Sequence, residues 1–286
     1  MRSLKKKNDL RIRTVMKNFC LFMNKDKNRA DETARFVSGY LEKNAASCWV
    51  ESNFLSAGKI PEKTECIITL GGDGTIIRAA RETAGTNIPI VGINLGHLGY
   101  MTSISLGEDI SGMLDCLLTG KFEVEKRMML EGSVNGGESN LSLNEIVITK
   151  RNAVKTIRFR IVSNGQFLNE YSADGIIIAT PTGSTAYNLS AGGPIVDPGA
   201  RMTILTPICP HALSRNSIVL KAEDELDIEI CGGSPGDQVA VFDGEKTLDL
   251  DCGSHTKIRE SKLTTPFIKL QGGTFLDRLR SKMTVI

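Results

Sequence analysis

The chain has 286 residues, enough for two domains at roughly 100–200 residues each. Apolar residues make up 41% and charged residues 24%, which excludes a disordered tail or a collagen-like fibre. Lys plus Arg number 35 against 33 Asp plus Glu, a net charge of +2, so no broad basic field awaits nucleic acid or an anionic membrane, and no apolar run reaches the ~18 residues of a membrane-spanning helix.

The basic segment 1–15 lacks hydrophobic periodicity, and the FCLFM that follows is too short for the apolar core of a signal peptide. Met16 is read as a start and 1–15 as a disordered extension. Residues 17–23 form a short apolar run, a strand, and 29–43 carry Ala34, Val37, Tyr40 and Leu41 at helical spacing. Strands are expected at 48–50, 66–70 and 88–93, with helices at 75–84 and 109–118. Strand alternating with helix predicts a mostly parallel, Rossmann-like sheet that binds its ligands at the carboxyl ends of the strands.

From about Lys121 the helical spacing fades. Residues 156–162 and 226–230 alternate apolar and polar, and further strand-like runs lie at 141–149, 175–180, 217–220, 238–242 and 247–250. Many short strands at close spacing predict an all-β, sandwich-like domain. The tail, from about 264, reads as a strand and a short amphipathic helix carrying Phe275, Leu276 and Leu279. The expected organisation is thus an extension over 1–15, an α/β domain over 16–122, a β-rich domain over 123–263 and a tail over 264–286 that returns to the first domain.

The seven cysteines are odd in number, form no CxxC pair and have three His beside them, His97, His211 and His255. A zinc site or disulfide framework is disfavoured; buried or half-buried thiols in the cytoplasm are expected.

Four segments carry chemistry. Gly71, Gly72, Asp73 and Gly74 lie between a buried strand and a helix. Glycines there let a ligand approach the backbone and expose amides at a helix start. A carboxylate would repel phosphate, so Asp73 makes sense facing a hydroxyl that attacks a phosphate, although the turn also reads as an ordinary strand-to-helix connection with an incidental Asp. The segment has neither GxxxxGK[ST] nor GxGxxG spacing. The second segment, 174–194, places Thr182, Gly183, Ser184 and Thr185 after a buried strand and offers Tyr187 as a flat face for a base; a long structural loop is the plainer alternative. The third, Asn144-Glu145, sits in a strand-like run, where neighbouring side chains point to opposite faces unless the strand bends. The fourth, 92–100, is punctuated by glycines, and its His97 is read as a loop or packing residue.

In this order, GGDG, GINLGHLGY, NE and DGIIIATPTGSTAYNLSAGGP resemble the NAD kinase family over roughly 17–260, the TPTGSTAY segment being the most specific. The resemblance implies an α/β domain followed by a β-rich domain with the site between them, and transfer of the γ-phosphoryl group of ATP to the 2′-hydroxyl of the adenosine ribose of NAD. It implies Asp73 as proton acceptor and Gly71, Gly72, Gly74, Asn144, Glu145, Asp174, Thr185, Ala186, Tyr187, Asn188, Leu189 and Ser190 as substrate contacts. Arg78, Tyr100 and Lys155 align as further ligand neighbours. Glu245 falls where relatives often carry Gln, and a carboxylate cannot donate as an amide does. Mg²⁺ or Mn²⁺ is expected to arrive with ATP, since no dedicated carboxylate cage is visible. The family also implies a homodimer or homotetramer. Two other readings stay open: a diacylglycerol-kinase-like lipid or sugar kinase sharing the GGDG turn, and a non-catalytic NAD(P)-binding sensor.

Overall fold

A computed structural model describes residues 15–51, 60–96, 99–151, 155–211, 215–234, 236–270 and 274–283. The expected extension therefore falls outside the described residues, apart from an exposed Val15. In chain order the elements begin with β1 (Asn18–Met23), α1 (Ala30–Lys43), β2 (Ser47–Glu51), β3 (Cys66–Gly71), α2 (Asp73–Glu82), β4 (Ile90–Asn94), β5 (Ile104–Ser105) and α3 (Ile110–Thr119). Then come β6 (Phe122–Val134), β7 (Asn140–Ser142), β8 (Glu145–Lys150), β9 (Ile157–Ser163), β10 (Gln166–Ala173), β11 (Gly175–Ala179) and α4 (Tyr187–Ser190). The chain ends with β12 (Met202–Ile208), β13 (Ile218–Lys221), β14 (Leu226–Gly232), β15 (Gln238–Phe242), β16 (Lys246–Leu250), β17 (His255–Leu270) and α5 (Phe275–Met283).

Among the described residues these elements form two compact units, one within 15–76, 88–125 and 267–283, the other within 77–87 and 126–266. In the first unit β2, β1, β3 and β4 pair in parallel, and β5 and the end of β17 join β4 in the same sense. β3 and β4 are buried at every position, so they read as unbroken apolar runs rather than alternating ones. Helix α1 packs its Ala34, Val37 and Leu41 stripe into a core with Phe19, Leu21, Ile68 and Ile93. Helix α3 is set at both ends: the Asp109 carboxylate accepts from the Gly112 amide, and Gly120 closes it at φ 68°.

The second unit is a sandwich of two antiparallel layers. One runs β10-β9-β14-β17, the other β13-β12-β11-β8-β15-β16. Ile157, Phe159, Ile161, Ile228 and Ile230 of the first layer meet Ile146, Ile148, Ile176, Ile178 and Phe242 of the second. Strand β11 is buried on both faces, because Ile177 and Ala179 pack with Val147 and Ile204 on its outer side.

Several elements differ from expectation. Helix α2 starts at Asp73 rather than at 75, so the aspartate of the glycine turn is already helical. The expected strand 141–149 is broken at Leu143 and Asn144. The last strand starts at His255, well before 264. Strands β6, β10 and β12 went unread: β6 is dense in charge, β10 is largely exposed and β12 contains Pro207. Of the seven free thiols, Cys209 and Cys252 are exposed rather than buried, since both fall outside the strands.

Candidate functional site

In the first unit the site is built around the junction of β3 and α2. Gly71 ends β3, and a side chain there would meet Thr75; Gly72 and Gly74 face open space. Asp73 opens α2, where the helix dipole favours negative charge. Its Oδ2 accepts the Tyr100 amide at 2.7 Å and its Oδ1 the Met101 amide at 3.1 Å. A Cβ at Gly99 would collide with that carboxylate, so only glycine allows the approach. Two amides use half of the roughly four lone-pair positions of a carboxylate and leave the rest for a ligand. Tyr100 thus meets Asp73 through its backbone; its ring lies under Lys282 Nζ, 4.0 Å from the centroid. His97 lies outside the described residues.

In the second unit three sequence motifs converge on one bend. The Asp243 carboxylate accepts the amides of Leu143 at 2.8 Å, Asn144 at 2.8 Å and Glu145 at 3.1 Å. Asp243 and Gly244, at φ 48° and 72°, form the turn between β15 and β16 that aims it there. From the other side, Thr180 Oγ1 donates to the Leu143 carbonyl at 2.6 Å and the Thr180 amide to the Asn144 carbonyl at 2.8 Å. Any side chain at Gly183 would strike the Asn144 carbonyl. The strand therefore does bend at Asn144-Glu145, as a shared site requires.

Asn144 Oδ1 and Glu145 Oε2 are buried there without a hydrogen-bond partner. Buried polar atoms are nearly always satisfied, so two orphans on consecutive residues make this bend a candidate for a ligand. Burial, followed by the Asp243 charge, pushes the Glu145 carboxyl up to about 8. Burial also raises Asp243, to about 6, against the pull of its three amides and of Arg81.

The remaining expected residues of this unit divide in two. Asp174 pairs with Lys150 at 2.6 Å, and Tyr187 exposes its ring. Gly183 and Thr182 lie in a buried 3-10 turn that leads to the half-buried Thr185 and Ala186, then to Leu189 and the exposed Ser190. Lys155 is exposed. Arg78 is paired with Glu82 at 3.1 Å, and Glu245 with Arg81 at 2.9 Å. The Asn188 side chain is turned inward in this structure. It is wholly buried, donates to the Ser184 and Pro194 carbonyls and accepts from Thr206 Oγ1, so its side chain holds the loop in shape.

Sequence reasoning missed Asp243, Lys150 and Met101, and named Gly99 only as part of the glycine-punctuated 92–100 segment. The DG step between two strand runs was a turn signal for Asp243, but nothing local names its partners, 98 to 100 residues away.

Comparison with known proteins gives the family. Residues 56–122 match the ATP-NAD kinase N-terminal domain and 143–270 the ATP-NAD kinase C-terminal domain. An NAD kinase of Lachnospira eligens is 40% identical over 94% of this chain and 100% of its own length. The chain belongs to the NAD kinase family. Another NAD kinase, of Moorella thermoacetica, is 40% identical over 94% of this chain and 89% of its own. The crystal structure of an NAD kinase from Archaeoglobus fulgidus in complex with ATP superposes with a TM-score of 0.77 at 27% identity, over 94% of this chain and 97% of that one. The yeast NADH kinase complexed with NADH, at 22% identity and a TM-score of 0.79 over 95% of this chain and 88% of its own, shares the fold. NAD kinase membership removes the lipid- and sugar-kinase reading of the GGDG turn.

Proposed function

We infer that this chain phosphorylates NAD, moving the γ-phosphoryl group of ATP to the 2′-hydroxyl of the adenosine ribose and releasing NADP and ADP. The observation that carries the reading is Asp73, at the first turn of α2 with each carboxylate oxygen oriented by one backbone amide. In that pose the carboxylate cannot rotate freely, and its remaining lone pairs accept the substrate hydroxyl. As the O–P bond forms, the proton passes to Asp73 and ADP leaves. Positioning and charge neutralisation supply most of phosphoryl-transfer catalysis, and general-base help adds about 10²–10⁴-fold.

Asn144 Oδ1 and Glu145 Oε2 take sugar hydroxyls of the dinucleotide, which would satisfy two otherwise orphaned atoms. A Glu145 carboxyl that holds its proton near neutrality can donate as well as accept. Tyr187 offers its exposed ring to a base, and the open faces of Gly72 and Gly74 admit phosphate oxygens. Asp174, fixed by Lys150, and the Thr185–Ser190 segment complete the proposed contacts. Mg²⁺ or Mn²⁺ bound to the triphosphate neutralises charge there; among the described residues no group of three or more carboxylate, imidazole or thiolate side chains would hold it. By the same family reading the enzyme is a cytoplasmic homodimer or homotetramer, and its seven free thiols suit a reducing compartment.

The test is incubation of the purified full chain with NAD, ATP and Mg²⁺, with NADP read by an NADP-specific dehydrogenase. NADP formation dependent on ATP is expected. Binding of NAD without any NADP would make the chain a sensor rather than a kinase.

A further inference from the structure

The C-terminal helix α5 makes an unusual attachment to the first unit. Its start is fixed by a reciprocal cap: Thr274 Oγ1 and the Thr274 amide both donate to the Asp277 carboxylate, and the Asp277 amide donates back to Thr274 Oγ1. That cap sets the helix phase, so Arg278 and Lys282, four residues apart, share a face. That half-buried face also carries Phe275 and Leu279, so two cations share it with apolar side chains, while Leu276 is 62% exposed.

Both cations land on one residue. Arg278 Nη1 donates to the Tyr100 carbonyl at 3.1 Å, and Lys282 Nζ sits over the Tyr100 ring. The amide of that same Tyr100 is the 2.7 Å donor to Asp73. Arg278 is partly sunk in the protein, and burial lowers its pKa; the carboxylates of Asp73, Glu125 and Glu108, in that order, offset this only in part. A cation placed inward at such a cost usually has a specific partner. Here the partner is the carbonyl of Tyr100, in the glycine-preceded segment whose two amides hold the Asp73 carboxylate.

We propose that Arg278 is a positioning residue for phosphoryl transfer: through the Tyr100 carbonyl it fixes the 99–101 segment, whose amides aim the Asp73 carboxylate. Lys282 assists by holding the Tyr100 ring. The inference rests on the reading of Asp73 as proton acceptor. It predicts a loss in the chemical step, because the contacts both cations make here are to Tyr100, whose amide aims Asp73.

The experiment compares wild type, Arg278→Met, Arg278→Lys and Lys282→Met, with Arg278→Met repeated in an Asp73→Asn background. Arg278→Met is expected to lower kcat at least 10-fold while KM for NAD and for ATP stays within threefold. Arg278→Lys, which keeps a cationic donor, should recover at least a third of the wild-type kcat, and Lys282→Met should lose about threefold or more. With Asp73 already replaced, Arg278→Met should cost less than twofold. If Arg278→Met melts below the assay temperature, Lys282→Met makes the same comparison. A kcat within twofold of wild type, a loss confined to KM, or an undiminished loss in the Asp73→Asn background overturns the proposal. Near wild-type turnover in Asp73→Asn alone would instead overturn the reading of Asp73, so the two failures are distinct.

Discussion

At the scale of single residues, the site depends on side chains whose partners are backbone groups. Gly99 is the strictest case, because a single methyl there meets the Asp73 carboxylate. Gly99→Ala should displace either the carboxylate or the 99–101 amides and lower kcat at least 10-fold in steady-state kinetics; turnover within twofold of wild type would show that the close approach is dispensable. Glu145 ties charge to stability. The folded chain holds its proton up to about 8, whereas the unfolded chain releases it near 4.5. The native state therefore binds the extra proton between those values, and stability falls as pH rises through that window. Between pH 6.5 and 8.5, above the range set by Asp243, wild-type Tm should fall, and Glu145→Gln should flatten the curve. Equal slopes for the two proteins would contradict a raised Glu145. GGDG stood out in the sequence because an aspartate among glycines is odd at a strand-to-helix turn, whereas NE, weak alone, stood out only through the family resemblance. Asp243 was not, since its function lies in three amides far away in the chain, and the inward turn of Asn188 depends on carbonyls that only the folded loop brings near it.

Among the elements, the break between β7 and β8 matters most. An uninterrupted strand would send Asn144 and Glu145 to opposite faces, and the bend is stabilised by Asp243 on one side and by Thr180 on the other. Asp243→Asn replaces one acceptor oxygen with a donor against buried amides. Unsatisfied groups of this kind cost about 1–3 kcal/mol each. At roughly 2–4 °C per kcal/mol, Tm should drop by at least about 2 °C, and KM for NAD should rise about 10-fold or more. An unchanged Tm with unchanged KM would mean that the bend forms without the clamp. The β/α alternation of the first unit was readable because its buried strands are continuous apolar runs bounded by turns. Strands β6 and β10 escaped because their exposed faces carry charge and polar groups that blur the two-residue period.

For the whole molecule, the family match extends through both units. Asp73, the proposed proton acceptor, and its two amides belong to the first unit; the orphaned Asn144 and Glu145 atoms belong to the second. Even the terminal helix contributes to the first unit, although its sequence showed only a short amphipathic pattern and gave no sign of the Tyr100 contacts. The most direct measurement of the central claim pairs the turnover of Asp73→Asn with its NAD affinity by calorimetry. The account predicts a kcat lower by about 10²–10⁴-fold with a Kd for NAD within threefold of wild type. Near wild-type turnover would contradict it, and so would a loss of activity matched by an equal loss of NAD binding.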